Sequence, residues 1–253
     1  MLIDTHSHLL SRAFFTLAQA EEIIKESARQ NIIIVESLLE PERYEENLKI
    51  IEKYNNVFAT LGFLELEVSK EQVEKAIGFM KKYINHPKVV GIGEIGMDFF
   101  RETNRENQEQ NFRQLLDFAK TTDLPVIVHS RAAGKYCFNI LEEKQIKQVI
   151  FHCFEGSIKL TKRIVEKRWF ISISTNVLYR EDVQKYVKKI PLEYFVLETD
   201  SPFLHPLRKK EEKNTPLNLK FSVEKISEIT SKSKDDVAKI TSQNANKILN
   251  LNV

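Results

Sequence analysis

At 253 residues, with 42% hydrophobic and 29% charged side chains, the chain has the make-up of an ordinary globular protein. Its 38 basic and 36 acidic residues leave a net charge of +2, which excludes a field strong enough to draw the whole molecule onto nucleic acid or a membrane, so any polyanion must be gripped locally. The only cysteines, Cys137 and Cys153, exclude a disulfide framework, no apolar run nears membrane-spanning length, and the opening LIDTH lacks the basic and apolar regions of a signal peptide, so a cytoplasmic location is expected.

The first apolar run, LIDT at 2 to 5, leads into His6 and His8. Residues two apart on a strand point to the same side, so these two imidazoles would converge on one point, a geometry that suits a metal. Further apolar, β-branched runs follow: NIIIV at 31 to 35, VFATLGF at 57 to 63, VVGIGEIG at 89 to 96 and LPVIV at 124 to 128. QVIF at 148 to 151, WFISIS at 169 to 174 and YFVLET at 194 to 199 bring the number to eight. Between them lie segments of helical spacing, among them AEEIIKESARQ, RYEENLKIIEKY, QEQNFRQLLDFAKTT and IKLTKRIVEKR. Continuous apolar strands alternating with helices predict a parallel sheet with its outer face covered, and eight such units fit a single (β/α)8 barrel domain over residues 1–253. A doubly wound open sheet is the alternative, although no Gly-rich phosphate fingerprint follows the first strand. The RKKEEK cluster at 208 to 213 reads as a loop after the eighth strand, and 221–249 as closing helices with Ser233 or Asp235 capping the last.

Catalytic groups of a parallel barrel sit at the C-terminal ends of its strands. There the runs carry His6 and His8 (first), Glu94 (fourth), His129 (fifth), His152 (sixth) and Asp200 (eighth). Each alone has an inert explanation as a cap, a turn residue or a hydrogen-bonded histidine. Together, facing one mouth, they would carry a heavy desolvation cost unless a cation sat among them. Imidazole and carboxylate donors without thiolate suit Zn, Mn or Mg, and six ligands suit two ions, with Glu94 the natural bridge.

The segments IDTHSH, GEIGMDF at 93 to 99, PVIVHSRAA at 125 to 133, FHCFEGS at 151 to 157 and LETDSPFL at 197 to 204 resemble, in order and spacing, the motifs of the TatD family of metal-dependent deoxyribonucleases, within the amidohydrolase-like barrels. The resemblance implies a two-metal hydrolase, commonly a 3′ to 5′ exonuclease on single-stranded DNA. It implies that His6, His8, Glu94 and Asp200 hold one ion and Glu94, His129 and His152 the other, with Asp200 orienting or deprotonating the attacking water. The chain departs from the family's pattern in three places. LGFLELE at 61 to 67 stands where Gly-Ile-His-Pro-His is usual, Leu10 replaces an Asp, and the last loop is lengthened to RKKEEKNTP while keeping Arg208, Asn214 and Pro216.

A phosphodiester substrate also needs cations and flat surfaces beside the ions. Arg131 is the foremost candidate, with Arg208 and, less specifically, Arg101, Arg105, Lys135 and Lys210; Phe99 and Phe203, followed by Phe100 and Phe154, are placed to stack on bases. The same ions would equally serve acyl transfer, such as hydrolysis of an amide, a lactone or a D-aminoacyl-tRNA ester. A non-catalytic metal-binding scaffold is the third possibility; the sequence gives no sign of an obligate protein partner.

Overall fold

The computed structural model describes residues 1–65, 68–100, 104–209 and 211–253. Arg101, Lys210 and the end of LGFLELE lie outside them. The strands are β1 (Leu2–Ser7), β2 (Ile32–Leu38), β3 (Val57–Leu61), β4 (Val89–Gly96), β5 (Val126–His129), β6 (Val149–Phe151), β7 (Phe170–Ile173) and β8 (Phe195–Leu197). The helices are α1 (Leu17–Arg29), α2 (Tyr44–Ile51), α3 (Lys70–Tyr83), α4 (Arg105–Ala119), α5 (Gly134–Glu143), α6 (Ile158–Glu166), α7 (Glu181–Val187), α8 (Leu219–Thr230) and α9 (Lys234–Leu249). All eight strands are parallel and pair in chain order into a closed barrel, sealed where Asp4 of β1 meets Leu197 of β8. The open-sheet alternative is thereby excluded, and no helix among the described residues is long and apolar enough to cross a membrane.

Apolar residues alternate between two cores. Ile34 packs outward with the helix layer, while its neighbours Ile33 and Val35 join Ile3, Val90, Ile127, Ile150 and Val196 in a separate cluster. Ala245, Ile248 and Leu249 of α9 complete that cluster, so the last helix plugs the barrel end away from the strand C-termini. Helix starts are fixed locally: Thr16 and Ser69 form reciprocal capping boxes with Gln19 and Gln72, and Ser157 and Ser233 cap α6 and α9.

Two irregularities position the site. The β1–β2 register shifts between Asp4 and Ser7, and the β4–β5 register between Ile92 and Ile95, so the breaks bracket His6 and Glu94. Such bulges re-aim side chains at a barrel rim. Glycine makes the second one possible: Gly93 and Gly96 have φ of 150° and 152°, and a Cβ on Gly96 would fall 1.9 Å from the carbonyl oxygen of His129. The backbones of β4 and β5 therefore approach closely where Glu94 and His129 must meet.

Candidate metal centre

The six strand-end side chains come together at the C-terminal mouth of the barrel. His6 Nε2 lies 3.1 Å from His8 Nε2 and 3.4 Å from Glu94 Oε2, and His8 Nε2 lies 3.5 Å from Asp200 Oδ1. On the other side of Glu94, Oε1 faces His129 Nδ1 and, at 3.7 Å, His152 Nε2. Asp200 Oδ1 closes the ring 3.8 Å from His152 Nε2. Each oxygen of Glu94 thus faces a different pair of histidines.

The donor set fits a divalent cation. Two imidazole nitrogens at 3.1 Å, and the rings of His6 and His152 stacked with centroids 3.7 Å apart, cannot all carry protons without mutual repulsion. His6 Nδ1 is buried with no partner, and His129 Nδ1 touches Glu94 without hydrogen-bond geometry. Burial opposes charge on every group here, yet the carboxylates pull the rings toward the cationic form. His129 is pushed up to about 9 by Glu94 and Asp98, and His152 to about 10 by Glu198, Glu94 and Asp200. His6 goes the other way, lowered by burial and by His152. Against their own burial, Glu94 and Asp200 are held below the usual carboxylate range, chiefly by His152 together with His129 for Glu94 and His8 for Asp200. A pocket that keeps carboxylates ionised and draws positive charge onto crowded imidazoles is one that a metal ion would satisfy while the rings stay neutral donors.

Two groupings with ligand atoms within 4.8 Å of one another match two adjoining ion sites, His6–His8–Asp200 and Glu94–His129–His152. A third, His6–His152–Glu198, satisfies the same distance, but Glu198 is already committed. Its Oε2 lies 3.0 Å from His152 Nδ1 and its Oε1 accepts from the Cys153 backbone N–H at 2.7 Å, so it aims the ring from behind.

Several buried carboxylates were invisible to a strand-end survey. Asp98 Oδ2 accepts from Arg131 Nε at 3.0 Å and Nη2 at 2.5 Å and lies 3.4 Å from His129 Nε2. Glu36 on β2, pushed up to about 7 by burial, accepts from Ser7 Oγ and the Leu10 N–H and so fixes the turn after β1. Asp4, pushed up to about 8 by burial, accepts from the N–H and hydroxyl of Thr199 and binds β1 to the end of β8. Asp98 and Glu198 lie inside the GEIGMDF and LETDSPFL motifs, which was the signal available for them.

A cleft of about 530 Å³ opens above the cluster, lined by His8, Glu94, His129, His152 and Asp200 and also by Arg131, Phe203, Phe14, Leu38, Leu39 and Leu64. Phe203, 46% exposed, stands edge-on to His8 and to Phe14. The other substrate candidates sit differently from expectation. Phe99 is not in the cleft lining: its N–H donates to the Arg131 carbonyl, and its ring packs against Tyr136 and beneath Arg105. Its neighbour Phe100 is exposed instead, with the Arg131 guanidinium 4.9 Å above its ring. Arg208 is also absent from the lining and lies over Tyr179, while Phe154 is buried in the core. Leu64 of the altered third-strand segment does reach the cleft, giving an apolar wall there.

The family described as TatD related DNase matches residues 3–250. An uncharacterized metal-dependent hydrolase of Methanocaldococcus jannaschii is 33% identical over 96% of this chain and 94% of that one. A human deoxyribonuclease, TATDN3, is 31% identical over 98% of this chain and 94% of its own. Among solved structures, a TatD homologue from Escherichia coli superimposes with a TM-score of 0.89 at 25% identity, covering 98% of both chains. The match along nearly the whole sequence, the closed barrel and the histidine–carboxylate cluster agree: this chain belongs to the TatD family and is a metal-dependent hydrolase.

Proposed function

We propose that the protein is a deoxyribonuclease that removes nucleotides from the 3′ end of single-stranded DNA, using two divalent ions, Zn, Mg or Mn, held by His6, His8, Glu94 and Asp200 on one side and by Glu94, His129 and His152 on the other. The observation that carries this reading is the split of Glu94, whose Oε1 and Oε2 face separate histidine pairs, as a bridging carboxylate must. Bound ions would make water nucleophilic at neutral pH and neutralise charge on the phosphoryl oxygens. Asp200, held ionised and bordering the cleft, accepts the proton of the attacking water as its oxygen bonds to phosphorus and the ester oxygen leaves. Arg131, fixed by Asp98 and 39% exposed, offers a guanidinium to the phosphate, and Phe203 a flat face to a base. The free thiols of Cys137 and Cys153 fit the reducing cytoplasm in which we place the protein.

The apolar wall around Leu38, Leu39 and Leu64 favours a second reading, hydrolysis of an acyl ester such as D-aminoacyl-tRNA, because an apolar acyl group would be buried there. Rates on end-labelled single-stranded DNA and on an aminoacyl-tRNA ester, measured with each metal, separate the two. Asp200→Asn should lower kcat on DNA by about 10² to 10⁴ with little change in KM. Turnover within a few-fold of wild type would remove Asp200 from proton transfer, and faster ester hydrolysis would replace the phosphodiester reading.

A further inference from the structure

Among the described residues six buried side-chain polar atoms lack a hydrogen-bond partner. Two belong to the histidines of the cluster, and the Oγ atoms of Ser27 and Ser222 lie on helices α1 and α8. The remaining two, Ser37 Oγ on β2 and Asn47 Oδ1 on α2, belong to residues that line the catalytic cleft. Ser37 is 5% exposed and Asn47 4%, so neither is a surface group turned to solvent. A buried amide or hydroxyl oxygen left without a partner costs on the order of 1–3 kcal/mol, and an apolar side chain of the same shape would avoid the cost. Two such groups on the wall of one cleft indicate that the missing partner is a ligand.

The surroundings define its chemistry. Leu38 and Leu39 follow Ser37, Leu64 adds a third aliphatic face, and Phe14 borders both this cleft and the neighbouring cavity that Asn47 also lines. The site therefore offers broad apolar contact with a carboxamide, a hydroxyl and the Glu40 carboxylate at its edge. A phosphate would meet the Glu40 carboxylate beside Leu39, and Arg43, which lines the neighbouring cavity, is matched by Glu40 and Glu46. A nucleobase meets both demands: its faces are apolar, and its edge carries the donors and acceptors that an Asn amide pairs with.

We propose that Ser37 and Asn47 form a nucleobase-recognition subsite of the catalytic cleft, with Asn47 pairing to the base edge while Leu38, Leu39 and Leu64 hold its face. This rests on the nucleic-acid reading of the site, and it assigns the base a place separate from the metal cluster. It also gives the altered third-strand segment a role, since Leu64 contributes to the wall where the sequence lacks histidines.

The test compares binding of thymidine monophosphate with that of its difluorotoluene isostere, which keeps the base's shape without its hydrogen-bonding edge, by calorimetry on the metal-loaded full chain. Wild type should prefer the natural nucleotide by about tenfold or more. Asn47→Leu, close in volume, should bind both alike, and Ser37→Ala should narrow the preference. Free Asn47→Leu should melt no lower than wild type, since it removes an amide whose buried oxygen is unpaired, and thereby reports a folded protein. Equal binding of the two nucleotides by wild type, or an undiminished preference in Asn47→Leu, would overturn the proposal. Hydrolysis of bis(p-nitrophenyl) phosphate, which has no base, is run alongside and reports the phosphodiesterase reading alone. If it fails while the Asn47-dependent preference holds, the subsite stands and the phosphodiesterase reading falls.

Discussion

Asp98, after β4, ties together two groups that stand two residues apart at the end of β5, the His129 imidazole and the Arg131 guanidinium. Although burial opposes its ionisation, these two partners hold its carboxyl below the usual range. Asp98→Asn should weaken metal binding at the His129 side by about 10- to 100-fold, the usual effect of losing the acceptor behind a ligand histidine. Competition with a chromogenic chelator measures this, and unchanged affinity would mean that Asp98 only braces Arg131. Cys137 gives a pH signature of the core. Burial pushes its thiol up from 9.0 to about 12 in the folded state, with Sγ 3.6 Å from the His129 carbonyl. Between those values the folded chain keeps a proton that the unfolded chain loses, so this contribution is complete below 9.0 and is lost as pH rises toward 12. Alkaline stability of wild type should therefore fall more steeply than that of Cys137→Ala, by up to about 1.4 kcal/mol per pH unit. Parallel urea-midpoint curves for the two proteins would refute it. The strand-end positions of His6, Glu94 and Asp200 were legible because ligand-type residues close apolar runs. Asp98 and Glu198 were marked only by lying inside the family motifs, because a carboxylate near a turn has the same local signature whether it caps a helix or steers a histidine. Phe99 and Phe100 show the same boundary: of two adjacent rings, only backbone geometry decides which one faces the solvent.

Helix α9 joins the two strands that seal the barrel, since it packs on both β1 and β8. Its start depends on Ser233, whose Oγ accepts from the Asp236 N–H at 3.0 Å, and the sequence left Ser233 and Asp235 as equal candidates. Ser233→Ala should cost about 1 kcal/mol, whereas Asp235→Ala removes only a helix-dipole interaction of roughly 0.3–1 kcal/mol. Urea midpoints with the opposite ranking would show that the dipole, and not the cap, fixes this end. Strand existence followed from apolar periodicity, and strand ends did not. NIIIV stopped the second strand at Val35, but β2 runs to Leu38 because buried Glu36 is paired with Ser7 and Leu10, bonds that no hydropathy pattern contains. The seventh run included Trp169, whose indole instead enters the helix layer and donates to the Ile146 carbonyl ahead of β7. At β8 the run continued to Thr199, yet the strand ends at Leu197, and the backbone then turns through Asp200 at φ 55° to face it toward the histidines.

Barrel closure is a property of the whole molecule, and periodicity in single segments could not decide it against an open sheet. Contact between the first and last strands is narrow, a single Asp4–Leu197 rung continued by the Ser7–Ser201 bridge, and Asp4 reinforces it through Thr199. The cluster draws on the ends of β1, β4, β5, β6 and β8, so ions held there would link strands on both sides of that seam. Ions that bind only the folded ring stabilise it by mass action, about 2.7 kcal/mol when free metal is a hundredfold above Kd. For a chain of this size, chelation should then lower Tm by roughly 5–10 °C. The two sites need not contribute equally, because the Glu94–His129–His152 group joins three neighbouring strands while the His6–His8–Asp200 group spans β1 and the end of β8. A His129→Ala/His152→Ala double variant should keep the seam-side ion and most of its chelator-sensitive shift. Calorimetric scans of both proteins, with and without chelator, check this together with elemental analysis. A Tm of wild type that chelator leaves unmoved would mean that metal plays no part in holding the barrel closed, whatever it contributes to hydrolysis.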